Sequence, residues 1–466
     1  MQLTLDGKLD MTDFTPPKPG THKGRFVYRM LTGVRICYLS NFIDKSYSMK
    51  MGQLRVPGRK IFMPNQFELV RKILVTQADK FPKSDMLDSI LKLLIGNGVF
   101  VANGDEWKRQ RRLIDPAFAH AKLKRVFPVM VAAATDLLAR FDKSADGSLV
   151  AIDEEMTHIT ADVIFRTIFS VSLEQGDAQK LFDAFNRFQD TAFAIGFIKA
   201  LNWPNVFFFK TRKARKAAAD IRALIEPFVL DRYTRHKNGE TLSENDILSS
   251  LVTAVDPETG VGFSKSELID QTAFLFLAGH ETSASALSWA LYLIANCRDV
   301  QQRMYDEAIN AFAGHKPEYD DMTKLGFTRD VFQETLRLYP PVGFLPRQAT
   351  QCEHMRKKPI KPGDIMMISP WLIQRHHDYW DRPDVFDPDR YADGASRDSL
   401  RQAYLPFSIG PRICTGAGFA KQEAMIVLAM LVQRYRFEAV DSHVPQPVGR
   451  LTVRSENGIR LKVHRR

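Results

Sequence analysis

The chain reads as a mainly α protein, α+β in class, with one large helical region and a small β-rich lobe. Three observations carry that expectation. Apolar residues recur at helical spacing almost without a break from Glu106 to about Leu242. Ser264 and Glu267 form a capping box that opens an apolar run ending near Asn296; a helix of that length would be about 50 Å long, enough to cross the molecule. Strand-like segments are short and lie toward the two ends, at Gly52–Val56, Lys60–Met63, Leu451–Arg454 and Ile459–Val463.

In chain order, residues 1–48 form a lead-in whose Pro16-Pro17-Lys18-Pro19-Gly20 is stiff and irregular. Pro57-Gly58 separates the first two strands, and Phe67–Val75 has helical spacing. Asp79–Gly98 reads as loop-rich, because it holds Phe81-Pro82 and Gly96-Asn97-Gly98. Further helices are expected over Val300–Phe312, Thr328–Leu338 and Gly418–Arg434, with short strands and turns over Ile360–Asp389. Length alone suggests about three domains. No linker, repeat or composition break divides the 466 residues, so a single domain over 1–466 is expected.

The 65 Lys and Arg against 54 Asp and Glu leave a net charge of +11, which suits an acidic partner, a membrane surface or nucleic acid. Thirty-two Phe residues point to a large apolar interior able to enclose an apolar ligand. Cys37, Cys297, Cys352 and Cys414 are widely spaced and form no CxxC, which argues against a disulfide framework or a zinc knuckle. The best candidate for a membrane span, Phe26–Ile43, is interrupted by Arg29 and Arg35, and the opening residues include Asp6, Asp10 and Asp13. The expectation is a cytoplasmic protein without a transmembrane segment. A peripheral membrane patch around Phe26, Tyr28, Met30 and Leu31 is the alternative.

Common phosphate, zinc and esterase signatures are missing. There is no GxxxxGK[ST] and no GxSxG, Gly416-Ala417-Gly418 lacks a third glycine, and Ala284 stands where His280-Glu281 would need a second His. The basic run Lys210–Lys216 has no interleaved aromatics, so nucleic-acid binding is not expected.

Phe407-Ser408-Ile409-Gly410-Pro411-Arg412-Ile413-Cys414-Thr415-Gly416 is the most informative stretch. Gly410 permits a tight turn, Arg412 offers a fixed charge for a carboxylate, and Gly416 lets backbone amides approach the sulfur. A thiolate needs such donors to stay ionised, and a helix N-terminus follows directly. Phe407, Gly410, Arg412, Cys414 and Gly416 fit FxxGxRxCxG and resemble the haem-thiolate signature of the cytochrome P450 family. The resemblance runs from about Lys50 to Val463. It implies the cytochrome P450 fold, with the long helix over a haem b whose iron is ligated by Cys414.

Four other stretches share the resemblance. Ala278-Gly279-His280-Glu281-Thr282 is similar to AGxET, where the helix loosens over the haem. That likeness assigns Glu281 and Thr282 to proton delivery and Ala278 and Gly279 to an oxygen groove; read alone, Gly279 also fits a close helix crossing. Glu334-Thr335-Leu336-Arg337, with Arg390, resembles the family's structural Glu–Arg set. Trp107 and Arg111 are four residues apart on one helix face and match WxxxR, which implies propionate binding. Arg347 and Arg412 fall at two further propionate positions. His376 looks like the second His of HRHP, although Gln374 and His377 depart from that pattern. Phe100, Phe274, Ala278, Val342, Phe344, Leu451 and Thr452 are expected at the substrate. Phe182, Phe185, Phe188, Phe193 and Phe197 form a stripe read either as pocket roof or as core.

The resemblance implies a monooxygenase that inserts one oxygen atom of O2 into an apolar small molecule. NAD(P)H would supply electrons through separate proteins, a ferredoxin with its reductase or else a flavodoxin. Lys108, Arg109 and Arg112 would attract such an acidic donor, and the protein is expected to be monomeric. A peroxide-driven enzyme and a non-catalytic haem or gas-binding protein are the alternatives.

Overall fold

The protein is described here from a computed structural model covering residues 14–19, 37–144, 146–173, 180, 183–185, 187, 188, 208–394 and 396–466. Phe26, Tyr28, Met30, Leu31, Phe182, Phe193 and Phe197 lie outside the described residues. The longer helices are α1 (Asp85–Ile95), α2 (Gly104–Ile114), α3 (His120–Phe141), α4 (Ile152–Phe169), α5 (Phe208–Lys237), α6 (Lys265–Asn296), α7 (Arg298–Phe312), α8 (Gly326–Leu338) and α9 (Ala417–Arg434).

The expected capping box is present. Ser264 Oγ accepts from the Glu267 amide, and Glu267 accepts from the Ser264 amide at 2.8 Å. The 32-residue α6 then runs through the interior against α1, α4, α5, α8 and α9. Gly279 is where α4 comes closest, since a Cβ there would lie 2.7 Å from Ile164 Cδ1. Across the same contact Thr160 Oγ1 donates to the His280 carbonyl at 3.0 Å. Gly279 therefore serves the helix crossing. The expected loosening of the helix is not seen, because α6 is continuous from Lys265 to Asn296.

One sheet has the order β1 (Met51–Val56), β2 (Arg59–Pro64), β7 (Ile365–Ile368) and β4 (Leu345–Gln348), antiparallel except for the parallel β2–β7 pair. Another sets β11 (Arg460–Arg465) between β3 (Ser148–Ala151) and β8 (Tyr435–Ala439). Two hairpins, β5–β6 (Glu353–Met355 and Lys358–Ile360) and β9–β10 (Pro447–Gly449 and Val453–Ser455), complete the strands among the described residues. The large apolar core joins the helices. A smaller one, with Phe62, Val70, Leu74, Phe81, Met366, Ile368 and Trp380, fills the lobe of the first sheet.

Two elements depart from the sequence expectation. The supposed loop over Asp79–Gly98 contains α1. Its turn residues bracket a helix: Ser84 Oγ accepts from the Met86 amide at 3.3 Å, and Gly96 ends the helix at φ +51°. Strand β3 breaks the helical stretch at Ser148–Ala151, where it pairs with β11 more than 300 residues later.

Candidate active site

The cysteine segment closes on itself through the Cys414 amide, which donates to the Phe407 carbonyl at 2.9 Å. Gly410 sits at φ +75°, and a Cβ there would overlap the Leu74 carbonyl, so no other residue fits. Cys414 is exposed, yet burial is the largest influence on its thiol and raises its pKa. Accessible sulfur closely walled by protein describes the floor of a recess. The Gly416 backbone, Arg111 and Lys83 pull the other way and favour the thiolate.

Four cations gather at this floor. Arg111 donates to the Ile413 carbonyl at 2.8 Å and pairs with Asp115 at 2.6 Å. The Arg412 guanidinium lies 3.9 Å over the Trp107 ring and donates to the Ala102 carbonyl at 2.8 Å and Asn103 Oδ1 at 2.9 Å. Arg347, on β4, is buried, and its one side-chain hydrogen bond among the described residues goes to the Pro346 carbonyl. Lys83 is bridged to Arg347 through the backbone, and its ammonium stands 3.3 Å from the centre of the Phe100 ring.

Burial lowers the pKa of Arg347 to about 10 and, helped by Arg347 and Arg111, that of Arg412 to about 9. Lys83 is lowered well below the usual lysine range by burial and by all three arginines. Asp115 is the one carboxylate paired with the group among the described residues. Four clustered cations with one counter-charge call for an anion. Lys83 is the member the motifs missed; a Lys beside Phe81-Pro82 carries no local signal.

Above the floor, α6 is buried on every side but one. From Gln271 to Ala295 only Phe274, Ala278, Gly279 and Thr282 are not buried. Phe274, Ala278 and Thr282 are spaced at four residues and share one face, and Phe274 stacks on Phe100 at 5.4 Å. This half-open stripe and Phe100 join the sequence-predicted wall to the cation cluster. Thr282 Oγ1 donates to the Ala278 carbonyl at 2.7 Å, so its proton is engaged and its lone pairs remain available.

Glu281 was expected to take part in proton delivery, but the structure locks it. Arg454 embraces both carboxylate oxygens, with Nε at 2.7 Å from Oε1, and Thr452 Oγ1 donates to Oε1 at 2.6 Å. Burial pushes its pKa up, but Arg454 and His280 outweigh it and hold the group below the usual Glu range. Strand β10 is anchored for this purpose: the Val453 carbonyl accepts from Ser285 Oγ and Trp289 Nε1, which lays Thr452 and Arg454 on Glu281. Thr452, expected at the substrate, spends its hydroxyl on this lock.

Other expected contacts are redirected. His376 accepts from the Asp378 amide at 3.1 Å, and its Nε2 faces the Met49 carbonyl at 3.3 Å, so neither ring nitrogen remains for a propionate. Arg109 pairs with Glu267, and Arg112 with Asp256 at 2.6 Å and Glu258 at 3.0 Å. Those two are thus neutralised within the chain, and Lys108 leans on Asp105. Phe344 packs on Tyr38 and Phe42, while Val342 and Leu451 are half-buried. Of the Phe stripe, Phe185 and Phe188 are fully buried, and Phe185 lies 4.4 Å from Phe276, which makes it core.

Behind the cysteine segment, Glu334 accepts from Arg337 Nε and Nη2 at 2.7 Å, from Arg390 Nε at 2.9 Å and from Tyr391 Oη at 2.8 Å. Arg337 also donates to the carbonyls of Gln374, Pro383 and Val385. Gln374, which departs from the expected motif, links this knot to the loop: it donates to the Leu336 and Arg337 carbonyls and accepts from the Leu405 amide at 2.7 Å.

Haem would need a thiolate, cations for two propionates and an apolar wall. Cys414 at the floor, the under-neutralised cations and the half-open face of α6 fit all three.

A family model described as cytochrome P450 matches residues 34–463. A cytochrome P450 of Paris polyphylla is 31% identical over 419 residues, covering 85% of this chain and 78% of that protein. Cyclooctatin synthase of Streptomyces melanosporofaciens is 30% identical over 392 residues, 83% of each chain. The solved haem domain of cytochrome P450DA superposes with a TM-score of 0.80 at 24% identity, over 97% of this chain and 98% of that one, which shows the shared fold.

Proposed function

This chain belongs to the cytochrome P450 family and is a monooxygenase of that family; from that premise we propose that it oxidises an apolar small molecule with electrons from separate donor proteins. When bound, haem supplies the redox-active iron at which O2 is activated and one oxygen atom passes to substrate. Cys414 would ligate its iron. Lys83, Arg111, Arg347 and Arg412 would hold the propionates, and Trp107 supports Arg412. The observation that carries this reading is the cation cluster at the Cys414 floor, which has one paired carboxylate.

Phe100, Phe274 and Ala278 present apolar surface that orients a substrate and excludes water. Thr282 Oγ1, with its proton held by the Ala278 carbonyl, can accept a hydrogen bond from water in the recess. Glu281 contributes a fixed negative charge beside it. A ferredoxin with an NAD(P)H-dependent reductase is the proposed donor, and a flavodoxin is the alternative. The charge of +11 and the exposed Arg125 and Lys421, on the helices flanking the cysteine segment, support an acidic partner.

Cys414→Ser tests the reading. The variant should fold, while its reduced carbon monoxide complex lacks the red-shifted thiolate Soret band that the parent shows. Survival of that band in the variant overturns the assignment.

A further inference from the structure

Gln271 is a polar residue of α6 that belongs to none of the motifs and has no part in the proposed reaction. It is fully buried and heads the face that continues through Phe274, Ala278 and Thr282. Its Oε1 accepts from the Val99 amide at 3.0 Å. Its Nε2 has no hydrogen-bond partner among the described residues. Burying an amide with one half unanswered is unfavourable, so the bond to Val99 is what its position serves.

Val99 is held a second time, from the floor. Its carbonyl accepts from Arg412 Nη1 at 3.3 Å, and the Ala102 carbonyl accepts from Arg412 Nη2 at 2.8 Å. Phe100 lies between these points in the chain, half-buried, with its ring stacked on Phe274 at 5.4 Å. The approach to Val99 is equally fixed. Arg222 of α5 donates to the Leu94 carbonyl at 2.9 Å and to Asp270 Oδ1 at 2.5 Å. Gly96 packs so close to α6 that a Cβ there would fall on the Asp270 carboxylate, and Gln110 of α2 donates to the Asn97 carbonyl at 3.0 Å. The loop from Gly96 to Ala102 is thus tied to three helices and to Arg412, and Gln271 supplies the bond to the residue just before Phe100.

We propose that Gln271 is a positioning residue that determines specificity: by holding the Val99 amide it fixes the Phe100 ring against Phe274, and so sets how much room a ligand has beside the half-open face of α6. The inference rests on the monooxygenase reading, with Phe100 in the recess wall. Gln271 touches no ligand and acts through Phe100. An N–H points one way, so its bond fixes the orientation of Val99, and the Phe100 side chain leaves the backbone one residue later. Without the acceptor a buried N–H must find another partner, and the loop turns to reach it.

The test reads the shape of the recess with two iron-binding probes, imidazole and the bulkier 4-phenylimidazole, titrated spectrally into the haem-loaded protein. It needs neither a substrate nor a donor protein. The imidazole Kd gauges access to the iron, and the ratio of the two Kd values gauges the wall. Gln271→Met keeps the length of the side chain and removes the oxygen acceptor. It should change the ratio about fivefold or more, the scale of one net hydrogen bond, in the same direction as Phe100→Ala. Added to Phe100→Ala, it should change the ratio no further. An unchanged ratio in Gln271→Met overturns the proposal. An additive effect in the double variant does so too, because Gln271 would then act on something other than Phe100.

Gln271→Glu keeps an oxygen acceptor at the same reach and should return the ratio toward the parent value. A ratio altered as much as in Gln271→Met would overturn the proposal, since the Val99 bond would not be the cause. Should Gln271→Met fail to take up haem, Gln271→Asn retains the amide one methylene short of Val99, and an unchanged ratio there is equally fatal. A parent without the thiolate-type carbon monoxide spectrum would remove the monooxygenase reading and this inference with it, whereas a normal spectrum with an unchanged ratio removes only the role of Gln271.

Discussion

Two charged clusters flank the cysteine segment, and they are built on opposite rules. In the Glu334–Arg337–Arg390 knot each oxygen of the carboxylate has more than one donor, and Arg337 reaches three carbonyls besides. Nothing there awaits a ligand. At the Cys414 floor, neighbouring arginines add to burial in depressing the pKa values of Lys83 and Arg412, and among the described residues one carboxylate, Asp115, is paired with the group. A cluster complete in itself holds a fold. One that repels itself is completed by something the chain does not contain, here by haem propionates under the proposed reading. Charge balance, more than burial, separates structure from function in this molecule.

The contrast can be broken most sharply at the knot. Glu334→Gln strands Arg337 and Arg390 in the interior, and removing one partner of a buried ion pair costs about 3–5 kcal/mol. Urea unfolding should show that loss with or without haem. A loss below about 1 kcal/mol would mean that the knot is not what holds the loop.

Arg347→Met should act with opposite signs on the two forms. Without haem, removing a buried cation with no carboxylate partner should raise the unfolding midpoint. With haem, a charge-assisted contact worth about 1.5–3 kcal/mol disappears, so transfer of haem to an acceptor protein should speed up roughly tenfold or more. Parallel changes in both forms would place Arg347 with the knot rather than with the ligand site.

The smallest effect concerns Glu281, which stands in a functional motif but is balanced like the knot. Thr452→Val removes one hydrogen bond to it and should cost about 1 kcal/mol of stability while leaving substrate affinity unchanged. A shifted substrate affinity with unaltered stability would return Thr452 to the pocket wall.

Most of the helical frame and the cysteine loop were legible because their signals are local. A capping box, a helical run and a glycine at positive φ in a tight turn are each decided within a few residues. Helix α1 was misread because the signals that end a loop also start and stop a helix. His376 and Thr452 were placed wrongly, and Lys83 and Gln374 were not placed at all. Their partners are remote: Met49 for His376, Glu281 for Thr452 and Leu405 for Gln374.

By itself the sequence determined the class, the long helix, the cysteine loop and the residues of the ion knot, since periodicity, capping and motif spacing are properties of neighbouring residues. Tertiary structure decided which charges are answered and which are not. It locked Glu281 under Arg454, spent Arg109 and Arg112 within the chain and set Lys83 among three arginines. A side chain's charge is written in its residue type, but the field around it comes from groups brought near only by folding, and that field sets which groups ionise and which need a ligand.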